Sequence, residues 1–235
     1  MSGTLYLVPN LLGAIPPANV LPQRTIDLAR ALSHWVVETP KAARAFIKSL
    51  DPPHPIASLT IRELGAAPTA GHVAELLQPL RAGNDVGLVS DAGCPGVADP
   101  GAALVAAAHA AGLRVVPLVG PCAVLLALMA SGMNGQGFAF HGYLPVRADE
   151  RAAALKRLEA ESRARGQAQL FIETPYRNEA MLGAIATTLL PATQVCVAAD
   201  LTLPSETIER RSAGQWNTRD HAHFAKRPAL FVLQA

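Results

Sequence analysis

Residues 86–101, VGLVSDAGCPGVADPG, decide the fold. They open on an apolar run over 86–89 and break into a Gly/Pro/Asp-rich loop that carries Asp91 and Asp99. Asp99 suits a helix N-cap, Pro100 a first helical turn, and the alanine-rich residues 102–111 are strong helix formers. The loop over 91–98 is long, since strand-to-helix loops in α/β units usually run ~2–6 residues. Residues 113–119 form a second apolar run. Strand, helix and strand thus fit within 86–119, a βαβ unit of roughly 30 residues with parallel strands and a right-handed crossover. A glycine-rich loop at the carboxyl end of a buried parallel strand is where such folds bind ligands.

The same alternation extends both ways from this unit. Upstream, strands are predicted over 4–8, 35–38 and 56–61, with helices over 23–32, 40–50 and 71–81, and Thr39 and Pro40 read as cap and first turn of the second helix. Downstream, Gly120-Pro121 leads into an apolar helix over 122–131, and residues 131–137, SGMNGQG, read as a linker. The pattern then restarts with strands over 138–143, 169–173 and 194–199 and helices over 148–165 and 176–190. Residues 207–212 and 229–233 read as closing antiparallel strands. The expected architecture is α/β: two α/β/α domains, residues 1–136 with a mostly parallel sheet and residues 137–235 with a mixed sheet, and a ligand cleft between them.

Composition narrows the function. Half of the 235 residues are hydrophobic, 16% are charged, and the net charge is only +2. Aromatics make up 5% of the chain, little material for stacking on single-stranded nucleic acid. Cys94, Cys122 and Cys196 lie far apart in sequence, which indicates neither a zinc site nor a disulfide framework and suits a reducing cytosol. No apolar run reaches the ~18 residues of a membrane span, and the N-terminal residues lack a basic leader segment. The histidines, His141 among them, show no metal-binding spacing.

Four strand-end loops carry candidate chemistry. The first, PNLLG at 9–13, lacks the GxGxxG of a dinucleotide site and by itself reads as a surface loop. The second is SDAGCP at 90–95, whose small residues let a ligand approach the backbone. VGPCA at 119–123 ends the next predicted strand and is expected to flank it, with Cys122 read as a small buried hydrophobe. The fourth, ETPYR at 173–177, has Thr174 as a cap and Pro175 in the first turn, which leaves Glu173, Tyr176 and Arg177 unexplained. A cation in a first helical turn opposes the helix dipole, so Arg177 is expected to have an anionic partner. Residues 147–165 mix basic residues with Asp149, Glu150, Glu159 and Glu161, the pattern of a solvated helix face, with RNA contact the second reading.

Taken in order, LYLVPNLLG, SDAGCPGVADPG, VPLVGPCAVLLALMASG, FAFHGYLP and FIETPYR resemble the tetrapyrrole methylase superfamily. Within it they look most like the small-subunit ribosomal RNA methyltransferase I branch. The resemblance implies S-adenosyl-L-methionine as cofactor, S-adenosyl-L-homocysteine as product, and a cytoplasmic homodimer with no metal and no membrane contact. Carried over by motif, the cofactor would touch Leu12, Asp91, Ala92, Gly93, Pro95, Cys122 and Ala123. It would also touch Ile172, Glu173, Thr174 and Ala199, with the segment near Pro228 a further candidate. The chain departs from the branch in three places. ETPKAAR at 38–44 stands where the branch shows an EDTR-like segment, Ile61-Arg62-Glu63 where it shows His-Asn-Glu, and the branch's small C-terminal extension has no counterpart before Ala235.

Methyl transfer from a sulfonium asks the protein mainly to align the acceptor and exclude water. A hydroxyl acceptor gains from a base, for which Asp91, Glu38 and Glu173 are the candidates. The acceptor implied by the branch is a ribose of small-subunit rRNA. The alternatives are a tetrapyrrole or other small molecule, or a binding module for the cofactor without catalysis.

Overall fold

The apolar runs form strands in both halves of the chain in a computed structural model, which describes residues 2–217 and 222–235. The chain divides into two compact units, Met1–Cys122 and Ala123–Ala235.

The first unit holds a parallel sheet of β1 (Thr4–Leu7), β2 (His34–Val37), β3 (Thr60–Glu63), β4 (Val86–Val89) and β5 (Arg114–Pro117), in the order β3-β2-β4-β1-β5. Both sheet faces are covered, which is why these strands read as continuous apolar runs rather than as alternating ones. On one face Leu5, Val36 and Leu88 pack with Val73, Leu76 and Leu104. These come from α3 (Ala70–Leu76) and α5 (Ala102–Ala110), with Leu80 of α4 (Gln78–Arg81) alongside. On the other face Trp35, Val37 and Val89 pack with α1 (Gln23–Arg30) and α2 (Pro40–Ser49) through Ile26, Ala29, Ala43, Phe46 and Ile47. The spacing of Ala43, Phe46 and Ile47 puts one apolar stripe of α2 on the sheet.

Several local expectations give way to backbone chemistry. Residues 56–58 form a 3-10 turn that begins after Pro55 and is closed by the Ser58 hydroxyl on the Pro55 carbonyl at 2.7 Å, so β3 starts only at Thr60. The helix expected over 71–81 breaks at Leu77, two residues before Pro79, which has no N–H to continue the ladder. Asp99 does not cap a helix: α5 starts at Ala102 behind Gly101, whose φ of 146° only glycine adopts readily. Strands β4 and β5 are parallel but are not neighbours, because β1 lies between them.

The second unit has a mixed sheet of β6 (Phe138–Tyr143), β7 (Ala168–Glu173), β8 (Gln194–Ala199), β9 (Thr207–Ser212) and β10 (Ala229–Gln234). Their order is β6-β7-β10-β8-β9, with only the β6–β7 pair parallel. Phe171, Val195, Val197 and Phe231 pack under α7 (Ala148–Arg165) and α8 (Asn178–Thr188) through Leu155, Leu158, Met181 and Ile185. Phe171 and Phe231 stack face to face at 5.3 Å.

The division of the chain falls before α6 (Ala123–Ser131), not after it. This apolar helix packs on β8, β9 and β10, where strand alternation turns Cys196, Ala198, Leu230 and Val232. The glycine-rich segment after α6 is tied into the second unit too. The Asn134 N–H donates to Gln234 Oε1 at 2.8 Å, and its side-chain amide donates to the Gly166 carbonyl at 2.7 Å.

Candidate functional site

The strand order of the first unit sends the chain away from β1 and β4 in opposite directions. From β1 it passes to α1 on one face, and from β4 to α5 on the other. Neighbouring strands that diverge in this way leave a crevice at their carboxyl ends. PNLLG and SDAGCP are the two loops that leave it.

Asn10 joins them. It is buried, and its side-chain amide donates to the carbonyls of Ser90 at 2.9 Å and Asp91 at 3.0 Å. Its backbone N–H donates to the Gly93 carbonyl at 2.8 Å. Gly93 has φ 67°, and an added Cβ would sit 3.3 Å from Leu12 Cδ2 and 3.8 Å from the Pro121 carbonyl oxygen. The loop after β5 therefore meets the same point across β1. Gly120 lies against Pro9 and Leu21, where a Cβ would come within 2.5 Å and 2.9 Å of their side chains. Thr25 of α1 holds this third loop through the Val119 carbonyl at 2.8 Å. The structure thus gathers Leu12, the 91–95 turn and the residues up to Cys122 at one sheet edge.

Carboxylates line the β2 side of this edge. The Asp91 N–H donates to Glu38 Oε2 at 3.0 Å. The Asp91 carboxylate in turn accepts from the Thr39 hydroxyl at 2.7 Å and the Thr39 N–H at 3.1 Å. Thr39 spends its hydroxyl on Asp91 and does not cap α2 with it. Asp99 returns toward the same pair. Burial, followed by the nearby charges of Glu38 and Asp91, pushes its carboxyl up to about 6, with the Ser90 hydroxyl opposing them. A carboxyl in this state takes up or releases a proton near neutral pH, whereas Asp91 has both oxygens committed to Thr39.

In the second unit, Glu173 and Ala199 both lie opposite Ala229 on adjoining strands, at one end of the sheet. Ile172 and Thr174 flank Glu173, and Pro228 sits beside Ala199 through the Asp200 N–H on its carbonyl at 3.0 Å. Arg177 has the anionic partner expected of it. Its Nε and Nη2 each donate to the fully buried Glu173 carboxylate at 2.7 Å. The Thr174 N–H adds a third donor at 2.6 Å. Thr174 makes no side-chain cap; the Arg177 N–H donates to its backbone carbonyl at 2.9 Å. A carboxylate held by three donors fixes the loop that carries them.

Two further readings meet the structure. His141 is satisfied by Gln169 at 2.6 Å. The 147–165 face is solvated only in part: Arg147 pairs with Asp149 and Glu150, and Arg157 with Glu161. Glu159, however, is buried and accepts from the Leu190 N–H at 2.8 Å and from the Thr193 hydroxyl. Among the described residues there is no group of three or more potential metal ligands, and no helix long and apolar enough to cross a membrane.

Asn10, Thr39 and Asp99 are the residues that sequence reasoning placed elsewhere. Asn10 carried a signal, an asparagine directly after a strand and a proline, where its side chain can stand in for backbone groups. Asp99 had a competing local explanation as a cap.

Comparison with known proteins adds independent information. No family model matches the chain. The chain is 41% identical over 140 residues to a ribosomal RNA small subunit methyltransferase I of Escherichia coli O157:H7, covering 60% of this chain and 48% of the relative. It is 37% identical over 188 residues to the protein of that name from Micromonospora olivasterospora, covering 80% and 56%. The chain spans about half the length of the curated relatives it matches. Among solved structures, the methyltransferase CobJ superposes over 99% of this chain and 94% of its own, with TM-score 0.63 and 21% identity. Uroporphyrin-III-C-methyltransferase from Thermus thermophilus covers 100% and 93%, with TM-score 0.57 and 17% identity. The curated relatives carry the name of the branch that the sequence motifs resemble, and the solved methyltransferases share the α/β fold.

Proposed function

We propose that the chain is an S-adenosyl-L-methionine-dependent methyltransferase acting on small-subunit rRNA. The observation that carries this reading is the convergence of three loops on Gly93, where Asn10 fixes the SDAG turn and the missing Cβ lets Leu12 and the Pro121 carbonyl come close to its backbone. Leu12, Asp91, Ala92, Gly93, Pro95 and Cys122 are the proposed cofactor contacts in the first unit. Ala123, Ile172, Glu173, Thr174 and Ala199 are those in the second. The acidic edge formed by Glu38, Asp91 and Asp99 suits a ligand that carries a sulfonium and an ammonium.

Bound there, the cofactor supplies an activated methyl group. The chain's own residues have three tasks. The Asn10 and Thr39 hydrogen bonds hold the SDAG turn in place before any ligand arrives, which lowers the ordering cost of binding. The Glu173–Arg177 pair fixes the ETPYR turn. Asp99, with its raised proton affinity, is the carboxylate suited to take the proton of a hydroxyl acceptor, in preference to Asp91, Glu38 or Glu173. The matched relatives support rRNA as the acceptor. A net charge of only +2 favours the second reading, a tetrapyrrole or other small-molecule acceptor. The resemblance also supports a homodimer working in the cytoplasm.

Titration with S-adenosyl-L-homocysteine tests the cofactor assignment. Micromolar binding corresponds to about −8 kcal/mol. At roughly 100 times Kd it stabilises the fold by about 2.7 kcal/mol and raises Tm by roughly 5–10 °C. Absence of both heat and thermal shift overturns the assignment. Transfer of labelled methyl from the cofactor to small-subunit RNA, against a tetrapyrrole pool, then decides the acceptor.

A further inference from the structure

Cys94 and Cys122, 28 positions apart in sequence, meet in the fold of the first unit. The Cys94 thiol donates to the carbonyl of Pro121, the residue before Cys122, at 3.5 Å, and the neighbouring Cys122 thiol is the main influence that raises its proton affinity. Both cysteines are partly exposed. Both stand on loops rather than in strands, and Cys94 lies between Gly93 and Pro95-Gly96, with φ of 67° and 79° at the two glycines. Glycine on either side gives the backbone room to reach disulfide geometry, which needs Cα atoms within about 7 Å. Cys196, by contrast, is fully buried in β8.

We propose that Cys94 and Cys122 are an oxidative modification site: a dithiol that peroxide converts to a reversible disulfide, tying the loop after β4 to the loop after β5. The Cys122 thiolate attacks one peroxide oxygen; an S–O bond forms, the O–O bond breaks, and hydroxide leaves and is protonated to water. The Cys94 sulfur then attacks the Cys122 sulfenic acid; the S–S bond forms, the S–O bond breaks, and a second water carries off the Cys94 proton. Two thiols are oxidised, one peroxide is reduced to two waters, and a thiol reductant reverses the result. Cys94 is the resolving partner: the Cys122 thiol beside it and its burial favour its protonated form, and its S–H is held by the Pro121 carbonyl at 3.5 Å.

The disulfide itself does not depend on the function proposed above; its consequence for the cofactor does. The native, full-length protein is treated with hydrogen peroxide, alkylated and digested, and its peptides are weighed. The expected result is a Cys94–Cys122 linked peptide that disappears on thiol reduction. It should be absent from Cys122→Ser, and it should form undiminished in Cys196→Ala. Phenylarsine oxide, which bridges adjacent thiols, should be retained by the reduced wild type and not by Cys94→Ser or Cys122→Ser. No linked peptide, linkage only after denaturation, or equal linkage through Cys196 overturns the site. Binding of S-adenosyl-L-homocysteine to the same reduced and oxidised samples should weaken at least tenfold on oxidation. A reduced sample that binds no cofactor overturns the functional reading and leaves the linked peptide intact as evidence for the disulfide.

Discussion

Asp99 shows how one side chain can carry a false local signal. Followed by a proline and an alanine-rich run, it meets every sequence criterion for a cap, yet the chain spends two more residues before the helix starts at Ala102. The charges that act on its carboxyl are not all local: Asp91 lies in the same loop, but Glu38 comes from the end of β2. A measurable consequence follows from its ionisation. In the unfolded chain the carboxyl loses its proton near 3.8, and in the fold at about 6. Between those values the native state holds a proton that the unfolded state has released, so stability falls as pH rises through this window. Above it the loss is complete. Asp99→Asn, which cannot ionise, is therefore expected to stabilise the protein by about 1 kcal/mol near neutral pH, the shift being discounted for a half-exposed group. Below pH ~4 it should have no effect. Urea titrations at both pH values check this, and equal effects at the two would show that the change in packing, not the charge, is responsible.

The elements were readable where burial sets the pattern. Strands covered on both faces announced themselves as apolar runs, and β6, α7, β8 and β9 lie at the expected bounds. Where proline chemistry or a long-range partner decides, the pattern misleads: at Pro55, at Pro79, and at Thr39, whose hydroxyl goes to Asp91. Strand order was also hidden, since the place of β1 between β4 and β5 leaves no trace in either strand's composition. β4 carries a residue whose role only packing reveals. Gly87 lies beside Trp35 in the sheet register. An added Cβ would come within 2.8 Å of the Trp35 ring and of Leu32 Cδ1. Trp35 cannot yield easily, being buried and bonded through its ring N–H to the Leu32 carbonyl at 3.2 Å. Gly87→Ala is expected to destabilise the fold by ~1–3 kcal/mol, the usual cost of overpacking. A denaturation midpoint unchanged from wild type would mean that the indole has room to move.

The same limit applies to function. The strand-end motifs point to the proposed methyl-donor site through backbone shape, which sequence records as glycines and prolines in order. The acceptor depends on surface charge, which motifs do not record. Here α7 gives the relevant detail. Its acidic residues neutralise Arg147 and Arg157, while Lys156, Arg163 and Arg165 are exposed and form no ion pair among the described residues. If RNA is the acceptor, this face offers about three phosphate contacts, for which log K should fall against log salt with a slope near −2.7. Affinity for small-subunit RNA should then drop about 40-fold between roughly 50 and 200 mM salt. Arg165→Ala should reduce the slope by about 0.9 and weaken binding without regard to RNA sequence. Filter binding across a salt series measures both quantities. A flat series would remove RNA as a direct partner of this chain and leave the small-molecule acceptor, while a slope steeper than about −6 would require a basic surface that α7 does not supply.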